Sequence, residues 1–217
     1  MKALGMLEVY SFTTAVYVAD ICAKSGGVKI IAFDRNRPKS ADAPAPLVMI
    51  VKIEGDVADV RAAIDAGAKY AKEQGKYIVS HIIPRPADTV EKMGYLMDLN
   101  KDKFNKKLPK TFLGTEDVVL PPSCCIGLLE IEGLVASIEG LDAMVKAADV
   151  RIVHTEKRLG GRLVTLVVTG EVSAVTAAVE TGKKRASVLG KIYGDAVIPR
   201  LHEEVGKFFD FSAIEEE

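Results

Sequence analysis

A chain of 217 residues with 48% hydrophobic and 27% charged side chains has the make-up of a globular protein with room for two small domains. A formal net charge of −1 gives no reason to expect nucleic acid or a membrane surface as a partner. No apolar run reaches a membrane span and the first residues lack a secretory layout. Cys22, Cys124 and Cys125 are odd in number, so a reducing cytoplasm is expected rather than a disulfide framework.

Ala3–Val9 alternates weakly and predicts a strand. Phe12, Val16, Ala19 and Ala23 then recur at helical spacing, and Gly26-Gly27 closes that helix. Val28–Asp34 and Leu47–Glu54 are apolar and β-branched and predict two strands, joined by a long loop from Arg35 to Pro46. Asp56 stands where it could cap a second helix whose stripe is Val57, Val60, Ile64, Gly67, Ala68 and Ala71. Ala62, Ala63 and Ala66 add to the small residues there, so this helix can come close to a sheet. Lys76–Ile83 predicts a fourth strand, ended by Pro84-Arg85-Pro86; a short helix is expected over Asp88–Met97 and a linker from Asn100 to Pro122.

Then the chain says the same thing again. Leu4-Gly5-Met6-Leu7-Glu8 returns as Ile126-Gly127-Leu128-Leu129-Glu130, and Ile82-Ile83-Pro84-Arg85-Pro86 as Val197-Ile198-Pro199-Arg200-Leu201. One constant shift pairs Gly5 with Gly127, Asp20 with Asp142, Lys24 with Lys146 and Val28 with Val150. A smaller shift pairs Gly55 with Gly170, Val57 with Val172, Gly67 with Gly182 and Pro84 with Pro199. The step between them falls in the inter-strand loop, which is long in the first copy and only Lys157–Arg162 in the second. In the second copy Leu134, Ile138, Leu141 and Val145 carry the first helix's apolar stripe, and a short helix is expected over His202–Phe209. The predicted fold class is α+β, two tandem ferredoxin-like βαββαβ domains with helices on one face of an antiparallel sheet. The expected divisions are a first domain at 1–98, a linker at 99–122, a second domain at 123–210 and an acidic tail at 211–217.

Catalytic chemistry is poorly provided for. His81, His154 and His202 stand at no metal-ligand spacing, and no nucleophile elbow, zinc-protease helix or phosphate loop is present. Gly26-Gly27 and Gly160-Gly161 are too short for a dinucleotide fingerprint. No enzyme, cofactor or metal site is expected. Cys124-Cys125 reads as a pair of small apolar thiols, since a metal or cluster would need more thiolates or the same thiolate from several subunits. The inter-strand loops are basic in both copies, through Arg35, Arg37 and Lys39 and through Lys157, Arg158 and Arg162. Alone these are solvated hairpin tips; turned inward in a ring, they would line a channel that attracts anions.

The run Ile126–Ala148, the loop Leu159-Gly160-Gly161-Arg162, the strand Leu163–Val168, Gly170-Glu171-Val172 and Val197-Ile198-Pro199-Arg200 together resemble the bacterial microcompartment shell domain. The resemblance covers nearly the whole chain apart from linker and tail, and two strand-first copies are similar to the non-permuted tandem-domain shell proteins. It implies a pseudohexameric homotrimer, in which three chains of two quasi-equivalent domains close around a central pore. It also implies a place in the shell of a cytoplasmic bacterial organelle, beside other microcompartment shell proteins, with small polar or anionic metabolites passing through. By the same resemblance Arg35, Arg37, Pro38, Lys39 and Ser40 line the pore from the first copy, and Arg158, Leu159, Gly160, Gly161 and Arg162 from the second. Lys24, Lys146, Arg85 and Arg200 take tile-edge positions. Some non-permuted relatives hold an iron–sulfur cluster on pore-loop cysteines; neither loop here has a cysteine, so none is expected. The first loop, at roughly 3.3 Å per extended residue, is long enough to reach across or narrow an opening. Two rival readings stay open: a ferredoxin-like trimeric regulator binding a small effector between subunits, and an electron-transfer tile using Cys124 or Cys125.

Overall fold

The computed structural model describes residues 2–38, 40, 42–87, 125–156 and 162–209, with backbone alone at 154–156. The chain divides into two compact units, Met1–Val118 with His202–Phe208, and Val119–Leu201 with Phe209–Glu217.

The first unit runs β1 (Ala3–Tyr10), α1 (Phe12–Ser25), β2 (Lys29–Asn36), β3 (Val48–Gly55), α2 (Val57–Glu73) and β4 (Tyr77–Ile83). Its sheet has the order β2-β3-β1-β4 with every neighbouring pair antiparallel, so each helix carries the chain over one intervening strand. The second unit repeats this as β5 (Ile126–Glu132), α3 (Leu134–Ala147), β6 (Val150–Glu156), β7 (Leu163–Gly170), α4 (Val172–Ala186) and β8 (Ile192–Ile198), in the order β6-β7-β5-β8. The α+β class and the doubled βαββαβ order expected from the sequence are thus observed. A short helix α5, Glu203–Gly206, follows, with His202 at its N-cap and the His202 Nδ1 accepting from the Glu204 N–H at 3.2 Å. The sequence assigns His202–Phe208 to the second domain, yet its contacts place it in the first unit. The helix expected over Asp88–Met97 and the linker lie outside the described residues.

Close approach explains the small residues. A Cβ on Gly5 would meet Ile53, Val60 and Ile64 within 2.9 Å, and one on Gly67 would meet Cys22 Sγ at 2.8 Å and Leu7 Cδ2 at 3.1 Å. Gly67 therefore lets α2 seat against α1 as well as against the sheet. Gly182, its counterpart, would meet Met144 Cγ at 2.4 Å and the Gly140 carbonyl at 3.0 Å, so α3 and α4 cross with their backbones almost touching.

Both apolar repeats lie on helices, as their spacing predicts, but the crossing decides differently in each which side is buried. In α1 the residues Phe12, Val16, Ala19 and Ala23 are buried as the stripe predicts. In α3 the buried residues are instead Ala136, Ser137, Gly140 and Met144, while Leu134, Ile138 and Val145 are exposed and Leu141 is half-buried. Gly140 and Gly182 bring the two backbones together, and Met144 fills the space that the absent Gly182 side chain leaves. Two capping expectations also change. Asp56 sits at the N-cap of α2 but makes no side-chain cap bond; it pairs with Lys2 at 3.4 Å, both exposed. Gly26 ends α1 in extended backbone (φ −162°), not as a left-handed cap, and is needed because a Cβ there would lie 2.6 Å from the Asp59 carbonyl oxygen.

Candidate functional site: inter-strand loops and helix ends

The first inter-strand loop leaves β2 at Asn36 and enters β3 at Val48, which face each other across the sheet. Arg35 and Arg37 are exposed, Pro38 is half-buried and Ser40 is exposed. Asn36 Oδ1 accepts from the Arg37 N–H at 2.8 Å, and Ser40 Oγ accepts from the Asp42 N–H at 3.2 Å, so local polar turns shape the tip. On the return side Ala45 and Leu47 are buried, which anchors the loop in the core. The Leu47 carbonyl accepts from the Ser11 N–H at 3.1 Å, tying the loop to the turn between β1 and α1.

The second loop is tied the same way, its Arg162 carbonyl accepting from the Gly133 N–H at 2.8 Å. The two strand-to-helix turns share a left-handed conformation, with Ser11 at φ 77° and Gly133 at φ 97°. Arg162 is exposed, itself at φ 62°, directly before β7. Lys39, Lys157, Arg158, Leu159, Gly160 and Gly161 lie outside the described residues.

Behind Arg35 sits a buried ion pair that sequence reasoning missed. Asp34 Oδ2 meets Lys52 Nζ at 2.5 Å, with 5% and 9% of the side chains exposed. Gly5 pairs with Ile53 and its Cα–Cβ direction points at α2, so Met6 and Lys52 lie on the face of the sheet away from the helices. Burial pushes the Asp34 carboxyl above its ordinary value, and the Lys52 hydrogen bond and charge pull it back. The available signal was a charge inside the apolar run of each strand, Asp34 after Ile30–Phe33 and Lys52 between Val51 and Ile53; Val167, at the shifted position in the second copy, shows the pair is not repeated.

The predicted tile-edge lysines close their helices in matched fashion. Lys24 pairs with Asp20 at 2.5 Å and Lys146 with Asp142 at 2.6 Å, each one turn earlier on the same helix. Asp20 is buried and its other oxygen accepts from the His202 N–H at 2.8 Å, whereas Asp142 is about half exposed at 52%. Arg85 and Arg200 are exposed in the bends after β4 and β8.

The described thiols are structural. Cys22 is fully buried, donates to the Ala63 carbonyl at 3.2 Å, and burial pushes its pKa up to about 12. Cys125 is buried in the core of the second unit, beside Leu129 and Val168; Cys124 lies outside the described residues. Neither buried thiol is expected to react with an aromatic disulfide reagent in the native protein, while both react after denaturation. His81 is exposed on β4, and no cluster of three or more metal-ligating side chains occurs among the described residues. No described helix is long and apolar enough to cross a membrane.

The BMC domain model matches residues 3–86 and 125–201, one match on each unit. The chain belongs to the BMC domain family. Its two BMC domains span most of the carboxysome assembly protein CcmO match, which from Synechocystis (strain PCC 6803) is 29% identical over 94% of this chain and 63% of that protein. CcmO of Synechococcus elongatus (strain PCC 7942) is 32% identical over 91% of this chain and 65% of that protein. The chain thus spans just under two thirds of the length of those relatives. The bacterial microcompartment shell protein PduA of Salmonella typhimurium, 86% of which is covered, matches 38% of this chain at 46% identity, the length of a single BMC domain. A crystal structure of a microcompartment protein from Desulfitobacterium hafniense DCB aligns over 95% of this chain and 99% of that one, at 24% identity and a TM-score of 0.38.

Proposed function

We propose that this chain is a non-catalytic tile in the shell of a cytoplasmic bacterial microcompartment. Three chains close a ring of six BMC domains, and the inter-strand loops converge on its central opening. The observation that carries this reading is the presence in one chain of two BMC domains in the same strand-first order. Each has its loop pinned to the same turn and carries exposed arginine at the loop base, Arg35 and Arg37 in one, Arg162 in the other. Two quasi-equivalent domains per chain allow threefold closure to mimic sixfold symmetry. The names of the relatives, shell and assembly proteins, support the same role.

Light scattering should give the mass of three chains, and electron microscopy of concentrated protein should show discs that tile into layers. A monomer would end the ring reading, and a trimer that retains a small effector through purification without forming layers would replace it with the regulator. Lys24 and Lys146 serve as edge contacts, their stems lying along a neighbouring tile. Changing both to alanine is expected to raise the protein concentration needed for layers by about tenfold, a loss of about 1.4 kcal/mol per junction, without altering the disc mass.

The loops make the opening favour anions. Replacing Arg35, Arg37, Lys157, Arg158 and Arg162 with glutamine is expected to lower anion entry into assembled shells on the order of tenfold at low salt, and less at high salt. Equal flux of an anion and a neutral analogue through both shells would end the charge argument and leave the tile intact.

A further inference from the structure

The turn from α4 into β8 holds an open cleft of about 460 Å³, lined by Lys183, Lys184, Ser187, Gly190, Lys191 and Ile192, with Glu180 the single acidic group among them. A volume of that size suits a metabolite. The first unit fills the same corner. There Lys72 lies over the Tyr77 ring, 4.6 Å from its centroid. The shift that pairs Gly67 with Gly182 puts Ser187 in the place of Lys72 and Ile192 in the place of Tyr77. The smaller pair leaves the space open in the second unit. The same shift puts Lys183 in the place of Ala68, which is buried.

The backbone of the cleft is fixed. The Ser187 N–H donates to the Lys183 carbonyl at 3.0 Å and the Gly190 N–H to the Ala186 carbonyl at 2.9 Å. The Lys191 carbonyl accepts from the Glu132 N–H at 2.9 Å, one residue before the Gly133 N–H that holds the Arg162 carbonyl. The cleft therefore stands beside the base of the second inter-strand loop. Its cations differ in what already holds them. Lys183 pairs with Asp195 at 2.9 Å, and Lys191 sits over the Tyr193 ring, 4.7 Å from its centroid. Neither Lys184 nor Lys191 has a carboxylate partner among the described residues. Lysine stems and Ile192 offer apolar wall, and the ammonium groups supply the charge.

We propose that this cleft binds a small phosphate monoester. A head with two negative charges serves Lys184 and Lys191 together, and a body of a few carbons lies against the lysine stems and Ile192. An anion with one charge serves only one of the two lysines. Three changed side chains on one repeated backbone thus turn a filled corner into a seat for an anion. The site belongs to the second unit alone and does not depend on the ring. On the ring reading it adds a place beside the second loop where an anion is held before it meets the loop cations.

The test is titration calorimetry of the full chain with glycerol phosphate, and with glycerol as the neutral control. The wild-type protein is expected to bind glycerol phosphate and not glycerol, and to bind it less tightly as salt is raised. Lys184→Gln with Lys191→Gln is expected to weaken binding by about tenfold or more. Ser187→Lys with Ile192→Tyr, which rebuilds the filled corner of the first unit, is expected to abolish it. These four positions are exposed or half-buried, and circular dichroism checks that both variants keep their secondary structure. Arg35→Gln, Arg37→Gln and Arg162→Gln together are expected to leave the affinity unchanged. No binding by the wild type overturns the site, and so does binding kept by both cleft variants. Loss in the loop variant alone would move the anion to the loops. Light scattering reads the ring separately, so the ring and this site fail independently.

Discussion

Replacing Lys52 with methionine is expected to lower the unfolding free energy by about 3–5 kcal/mol, because it leaves the Asp34 carboxylate buried without its counter-ion. Both side chains are almost wholly shielded from water, and Asp34 Oδ1 has no hydrogen-bond partner even in the native protein. Changing both residues, Asp34→Leu with Lys52→Met, removes the stranded charge and is expected to be near neutral or stabilising by up to about 4 kcal/mol. Urea denaturation of the two variants separates these cases. A single-variant cost below about 1 kcal/mol would show that the carboxylate escapes to water or takes another partner.

The pH dependence of the single variant follows from the direction of the Asp34 shift. Its folded-state pKa lies above the unfolded value, so the native state holds this proton to higher pH than the unfolded chain. The stability contributed by Asp34 is therefore fully present below the unfolded pKa and is lost as pH rises through the folded one. Without Lys52 the downward pull on the pKa disappears and the loss extends to higher pH. The deficit of Lys52→Met relative to wild type is thus expected to be smaller at acid pH than at pH about 7; a deficit that grows on acidification would reverse the sign assigned here.

Gly190→Ala is expected to destabilise the second unit by about 3 kcal/mol, whereas Gly75→Ala, at the equivalent position of the first, costs about 1 kcal/mol. The two glycines are conserved across the repeat for different reasons. A Cβ on Gly190 would lie 2.3 Å from the Glu132 carbonyl oxygen and 2.8 Å from the Ala136 Cβ, and neither atom can swing aside. Gly75 has nothing within 4 Å of such a Cβ, but its φ of +64° is left-handed. Thermal unfolding of both variants, read where the two units melt separately if they do, distinguishes crowding from backbone strain. Equal costs at the two sites would remove that distinction.

What the sequence offers toward the proposed site is local. Lys24 and Lys146 stand out as matched positions of the repeat, and the basic loops by composition between apolar strands. The Asp34–Lys52 pair was not legible, since it joins adjacent strands through a bulged register that no sequence offset reveals. Nor was the anchoring of the first loop by Ala45, which lies in a proline-rich stretch that reads as loop.

The amino-acid order alone determined the doubled βαββαβ unit, because strand alternation, helix spacing and the repeat shift are all properties of short stretches compared with one another. Which face each helix buries was decided only in three dimensions. In α3 the sequence stripe of Leu134, Ile138 and Val145 marks apolarity correctly but not its destination, because a periodicity is the same whether the face meets its own sheet or another surface. The inward side went to Ala136, Ser137, Gly140 and Met144, since the backbone of α4 comes close at Gly140 and Gly182 leaves room there for Met144. Likewise, that His202–Phe208 closes over α1 rests on contacts between residues far apart in the chain, which no local signal encodes.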